Sequence, residues 1–318
     1  MGLTDRLHAL DRRQQTGRRL SFVAAVIKKF ADDQGSQLAA LIAYYGFVSL
    51  FPLLLVFVSI LGFVLQGEPA EQQKLLNGAL GQFPIISNEL KHLRGSNTGL
   101  GIGLAGSLLA GLGITGATQT AFNRIWSVPF KDRPNIISSR LRGLGMLAIL
   151  GSLSVVSTVA AGLVGATSQS APAVLGGVLL AFALNLAIFL IAFKLLTAVE
   201  VTVRDMFPGV LTATVGWQLL QHVGGFYIDH VLKRTAALYG VFALVLGLLA
   251  WLFLGAVIVV LAAEVNVVKA RRLWPRSFFS DPLLEADRRA MVSSAEVEER
   301  VDEENVEVSF RDRPSERR

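Results

Sequence analysis

The chain contains no cysteine, which excludes disulfides, thiolate metal sites and a cysteine nucleophile while leaving the redox compartment open. Charge is also scarce. Asp, Glu, Lys and Arg make up 17% of the 318 residues, where soluble globular chains carry roughly 25%. The scarcity is concentrated in six stretches that carry none of these four residues: 38–65, 99–122, 143–167, 172–193, 206–227 and 235–263. Catalytic signatures are missing as well. The four histidines (His8, His92, His222, His230) show no HExxH or paired metal-ligand spacing, and there is no GxSxG elbow and no P-loop. An ATP-driven pump is disfavoured unless another chain supplies the ATPase, a metal-dependent nuclease is disfavoured, and no catalytic residue, metal or cofactor is expected.

What is present is apolar: 52% of residues are hydrophobic and the mean hydropathy is +0.52. A helix rises 1.5 Å per residue, so about 20 residues cross a hydrocarbon core about 30 Å thick. Each of the six stretches is read as a transmembrane helix, giving an all-α, six-helix bundle over 38–276. The first stretch follows a highly charged segment and is too long for a signal-peptide core, so it is expected in the mature protein.

Orientation follows from Lys and Arg, which are enriched in cytoplasmic loops. One side of the six-span topology carries 18 of them near the membrane and the other five. Both termini are therefore expected in the cytoplasm of a multi-pass inner-membrane protein. The same asymmetry accounts for the pI of about 9.8 without nucleic acid as a partner.

Three segments lie outside the spans. Within 1–37, residues 18–30 combine Arg18, Arg19, Lys28 and Lys29 with Leu20, Phe22, Val23, Val26, Ile27 and Phe30, the pattern of a helix on an anionic membrane surface. It should lead into the first span as an elbow. The external loop 66–98 has apolar residues at helical spacing and predicts short amphipathic helices covering the bundle. The tail 277–318 mixes Arg and Glu with few aromatics and is expected to be disordered or weakly helical, with Ser293 and Glu296 as a capping box for one short helix.

Polar groups inside lipid are costly, so each is paired or lines a wet path. Tyr44, Tyr45 and Ser49 precede Pro52, whose missing N–H favours a bend in the first span. The second span is rich in glycine, from Gly99 to Gly116, which lets backbones approach closely for packing within the chain or for homo-oligomerisation. Gln218 and His222 share a helix face with Gln221 nearby, while Asn185 sits in span four and Tyr239 with Gly240 begins span six. These residues either line an outward-opening cavity or hydrogen-bond between helices. Arg124, Lys194 and Glu264 close spans two, four and six at one membrane face, where a pair between Glu264 and Arg124 or Lys194 would neutralise a costly carboxylate. A proton relay would need a deeper carboxylate, and these spans have none.

Residues 39–63 carry an Ala-Tyr-Tyr and Ser-Leu-Phe-Pro core. Residues 121–141 carry Phe122, Asn123, Ile125, Trp126 and Arg133-Pro134. Residues 208–266 carry Pro-Gly, Trp217-Gln218, Phe226-Tyr227, Tyr239-Gly240, Trp251-Leu252 and Ala263-Glu264-Val265-Asn266. In these three blocks the chain resembles the YihY/BrkB family of bacterial inner-membrane proteins over about 22–276. The resemblance implies a six-span protein whose activity is poorly defined. Its members have carried a ribonuclease BN label regarded as a misassignment, and some relatives are linked to serum resistance or to lipid movement across the envelope. Membrane lipids are the partners this implies. The leading expectation is a bundle that moves or accommodates a lipid or other amphiphile. The alternative is a scaffold that recruits a cytoplasmic partner through its tail.

Overall fold

The computed structural model describes residues 11, 15, 17–64, 97–166, 171–227, 241–278 and 283–311. Among the described residues, the secondary structure is helical: α1 (Arg18–Asp32), α2 (Gly35–Val64), α3 (Asn97–Ile125), a 3-10 turn (Phe130–Asp132), α4 (Ile136–Ala166), α5 (Ala171–Leu196), α6 (Val203–Tyr227), α7 (Val241–Ala270) and α8 (Glu285–Glu296). The external loop and the Tyr239-Gly240 pair lie outside the described residues.

The six long helices close a ring. Each of α2 to α6 packs on its successor in the chain, and α7 returns to α2 while α1 lies against α7. Among the described residues, five helices are apolar enough over a sufficient length to cross a membrane, in the segments Gly35–Leu53, Gly101–Ile125, Ile136–Leu153, Leu175–Leu196 and Val245–Ala270. The six-span reading counted one more, over 206–227. That segment forms most of α6 and is long, but its Thr, Gln and His residues dilute its apolar character.

Outward faces are apolar along this ring. Ile102, Leu108 and Leu109 on α3 and Leu175, Val178 and Leu179 on α5 are exposed, an arrangement that lipid satisfies and water does not. Several hydroxyls on these helices bond their own backbone. Thr118 donates to the Ile114 carbonyl, Thr214 to Val210 and Ser49 to Gly46, at 2.7–2.8 Å, so these three donors are satisfied without water.

Glycine decides the closest helix pair. A methyl group on Gly103 would come within 3.0 Å of the Val56 backbone nitrogen, and one on Gly106 equally close to the Pro52 ring. Gly103, Gly106 and Gly113 of α3 thus face α2, and Gly111 faces Leu147 of α4. Helix α2 continues through Pro52, and the close approach of Gly106 fills the space beside that ring.

The elbow between α1 and α2 is set by Gln34, whose φ of 57° is left-handed and cannot continue a right-handed helix. α1 buries its small face, Ser21, Ala24 and Ala25, and leaves Leu20, Val23 and Ile27 more than half exposed at 65%, 54% and 53%. Those three residues lie on one helical stripe.

The described part of the charged tail is ordered. It carries α8 and then continues without regular secondary structure, with the Phe130 and Lys131 amides donating to the Val297 and Glu299 carbonyls. Ser293 and Glu296 lie in the last turns of α8 instead of capping its start. The start is tied by Asp287, which accepts from the Leu284 amide at 3.4 Å. The tail folds because its charges find specific partners on the bundle, a long-range effect that composition does not register.

Candidate functional site

The basic end of the ring, where α1, the 126–135 connection, the 197–202 loop and the tail meet, holds the densest chemistry. At its centre Lys29, in the last turn of α1, donates to the Asp33 carboxylate and to the Ile125 carbonyl at 2.9 Å, and faces Glu264 Oε2 at 3.4 Å. Ile125 ends α3, so its carbonyl is one that the helix cannot satisfy, and a cation is the natural partner there. Lys29 is 3% exposed, Asp33 7% and Glu264 0%. One buried ammonium thus serves two buried carboxylates, and Glu264 lacks a well-aligned hydrogen bond.

This arrangement corrects the expected pairing of Glu264 with Arg124 or Lys194. Arg124 is half-buried and Lys194 is exposed. The partner comes instead from the elbow helix, whose basic residues read in sequence as surface charges. The i, i+4 spacing of Lys29 and Asp33 was the available signal.

Around this hub, buried amides fix the neighbouring backbone. Asn266 Oδ1 accepts from the Gly209 amide at 2.7 Å, and Asn123 Oδ1 accepts from Ala198 at 3.1 Å. Gly209 approaches the Ala262 carbonyl and Asn266 so closely that no Cβ fits, which joins α6 to α7 by direct backbone contact. The Pro-Gly and Ala-Glu-Val-Asn motifs are thus two halves of one contact.

A second ionic cluster ties the termini. Asp287 on α8 accepts from Lys28 and Arg276, both at 2.9 Å, and from the Ser277 amide at 3.0 Å. Arg276 also reaches Asp32 at 2.8 Å. Burial pushes the Asp287 carboxyl up, but the Ser277 amide, Lys28 and Arg276 outweigh it and hold the group below the usual aspartate value. Farther along the tail, Lys131 pairs with Glu299 at 2.9 Å.

Two cavities flank the 197–202 loop. One, of about 600 Å³, lies between α4, α5 and the loop. Its wall includes Ile149, Ile191 and Leu195, and its lining also carries Arg142, Lys194, Thr197 and Glu200. The Arg142 guanidinium donates to the Thr197 carbonyl at 3.3 Å, while the buried Thr197 hydroxyl has no hydrogen-bond partner. An apolar wall, two cations, one carboxylate and a spare hydroxyl can hold an amphiphile with a charged head. The second cavity, of about 890 Å³, is lined by Arg18, Thr202, Arg204, Asp205, Lys269, Arg272 and Trp274.

The other sequence candidates do not converge. Tyr45 lines a separate cavity of about 320 Å³ with Gly113 and Gln119, its ring 5.4 Å from that of the exposed Tyr44. Gln218 is half-buried, Gln221 and His222 are exposed, and His222 Nδ1 lies 2.7 Å from the Gln218 carbonyl of its own helix. Asn185 is half-buried on α5. Because α6 packs on α5 and α7 while α2 packs on α3 and α7, the α6 row and the tyrosine–proline row belong to different helix pairs. Arg142, Thr197, Lys29 and Asp287 were missed because each gains its role from a partner distant in sequence.

Residues 26–277 match the family model described as virulence factor BrkB. The chain is 26% identical over 290 residues to the UPF0761 membrane protein PSHAa0171 of Pseudoalteromonas translucida, covering 87% of this chain and 92% of that one. It is 27% identical over 261 residues to the UPF0761 membrane protein ACIAD3168 of Acinetobacter baylyi, covering 77% and 61%. A Bacillus subtilis protein named as ribonuclease-like, YfkH, is 21% identical over 280 residues, covering 80% and 96%. No solved structure matches the chain.

Proposed function

The chain belongs to the virulence factor BrkB family of multi-pass membrane proteins, and from that premise we propose that it crosses the inner membrane six times and accommodates an amphiphile, such as a lipid, without covalent chemistry. The observation that carries this reading is the cavity between α4 and α5, where an apolar wall meets Arg142, Lys194 and the unpartnered Thr197 hydroxyl. It shifts the binding region from the outer halves of the spans to the basic end.

The span count has its own physical support. Lys28 and Asp32, before the first long helix, contact Asp287 and Arg276, after the last one. Segments in contact lie on the same side of a bilayer, which supports an even number of crossings. With 25 residues α6 is about 37 Å long, enough to be the sixth. The excess of Lys and Arg at the end where the termini meet favours the cytoplasm for both.

The scaffold reading draws on the tail, whose exposed acidic residues continue past α8. Lipid mass spectrometry of the protein in native nanodiscs separates the two readings, using an Arg142→Ala/Lys194→Ala variant of equal abundance. A lipid enriched with wild type and lost from the variant supports accommodation. Identical bulk-like profiles, with loss of function only on deleting residues 297–318, favour the scaffold.

A further inference from the structure

The second cavity at the basic end gathers cations from three separate elements. Arg18 opens α1, Arg204 sits in the first turn of α6, Lys269 lies in the last turn of α7, and Arg272 follows it. The one carboxylate in the lining, Asp205, accepts the Thr202 hydroxyl at 2.7 Å. None of the four cations has an ion-pair partner among the described residues. Four positive side chains against one carboxylate around about 890 Å³ give the cavity a positive potential that favours an anion.

The backbone beneath one of them, Arg272, is held by hydrogen bonds. Arg272 has a left-handed φ of 52° and closes α7, its amide donating to the Lys269 carbonyl at 3.3 Å while Leu273 donates to Val268 at 3.0 Å. This is a helix-ending geometry, and the Arg272 carbonyl in turn accepts from Arg289 of α8 at 3.2 Å. Trp274 lines the cavity and packs edge-on against Phe22 of α1, with ring centroids 5.3 Å apart.

One of the cations heads an exposed apolar stripe: Phe207 and Leu211 follow Arg204 along α6 at i+3 and i+7. On α1 the exposed Leu20, Val23 and Ile27 form a second stripe, on the helix face opposite Arg18. A free inorganic anion has no use for such stripes, whereas a lipid has a charged head and apolar chains at a fixed separation. We propose that this cavity binds the phosphate-bearing headgroup of an anionic lipid, with Arg18, Arg204, Lys269 and Arg272 as its ligands. The site is distinct from the α4–α5 cavity and stands independently of it.

The test uses the full chain in phosphatidylcholine nanodiscs, with phosphatidylglycerol added in steps and bound lipid counted by native mass spectrometry. The variant Arg18→Gln/Arg204→Gln/Lys269→Gln/Arg272→Gln should lose phosphatidylglycerol affinity by about 10-fold or more. A charge-matched variant at exposed positions outside the cavity, Arg19→Gln/Arg140→Gln/Arg300→Gln/Arg311→Gln, should lose about 3-fold or less, since scattered surface charge is screened. If the fourfold variant misfolds, the Arg204→Gln/Lys269→Gln pair is read in its place. Inorganic phosphate at tens of millimolar should leave the bound lipid undisturbed. Equal losses in both variants, no loss in the first, or displacement by inorganic phosphate would each overturn the proposal.

Discussion

At the basic end of the molecule, segments far apart in the chain are joined by ionised side chains; along the length of the bundle, neighbouring helices touch through glycine and apolar surface. Lys28 and Asp287 meet across 259 positions, whereas the Gly106–Pro52 contact joins two consecutive spans. The difference follows from the surroundings. In lipid there is no hydrophobic drive between helices, so close packing of small residues does the joining. At the end of the bundle the chain can bury charge only where each charge finds a partner, and the resulting contacts are specific.

The largest effect is expected at the buried triad. Lys29→Met leaves Glu264 and Asp33 facing each other without a cation and should cost about 3–5 kcal/mol, read as a lowered unfolding temperature and reduced abundance in the membrane. Gly209→Ala tests the packing side of the comparison. Its Cβ meets backbone that cannot move aside, so a loss of about 1–3 kcal/mol is expected in the same assay, with α6 and α7 separating in a cross-linking pair placed between them.

Asp287→Asn should weaken the latch by about 1–3 kcal/mol and expose α8 to limited proteolysis while the bundle stays folded. The same latch has a defined acid response. Because the folded carboxyl lies below its ordinary value of 3.8, the unfolded form takes up protons first as the pH falls. Its stabilisation is complete above about pH 5 and is lost below 3.8 as the folded value is passed; protease sensitivity of α8 that changes between pH 6 and 8 would contradict this. The smallest effect belongs to Glu264→Gln. It leaves Lys29 and Asp33 as a balanced pair and should alter stability by about 1 kcal/mol or less; a loss as large as that of Lys29→Met would show that Glu264 is the indispensable anion.

The same contrast explains what could be read from residues alone. Hydropathy marked the long helices because lipid acts on every residue of a span, and the first apolar stretch, 38–65, falls on α2 (Gly35–Val64) within a few residues. Glycine density pointed to close helix contact, which α3 makes with α2. The pairing of Glu264 was not legible, since it depends on which helix end folds against α7, and Lys28-Lys29 resembles any solvated basic pair. The tail's contacts were not legible for a related reason. Its composition is that of a disordered segment, and Asp287 orders it through Lys28 and Arg276, which composition cannot register. Gln218 and His222 were grouped by helical spacing, yet the structure spends that spacing on a bond within α6.

The central claim, that an amphiphile sits between α4 and α5, is tested most directly by a cryo-electron density map of the protein in native-lipid nanodiscs. The account predicts elongated density entering along Ile149 and Ile191 and ending within hydrogen-bonding distance of Arg142, Lys194 or the Thr197 hydroxyl. A well-resolved cavity holding only water, or one closed by its own side chains, would contradict it.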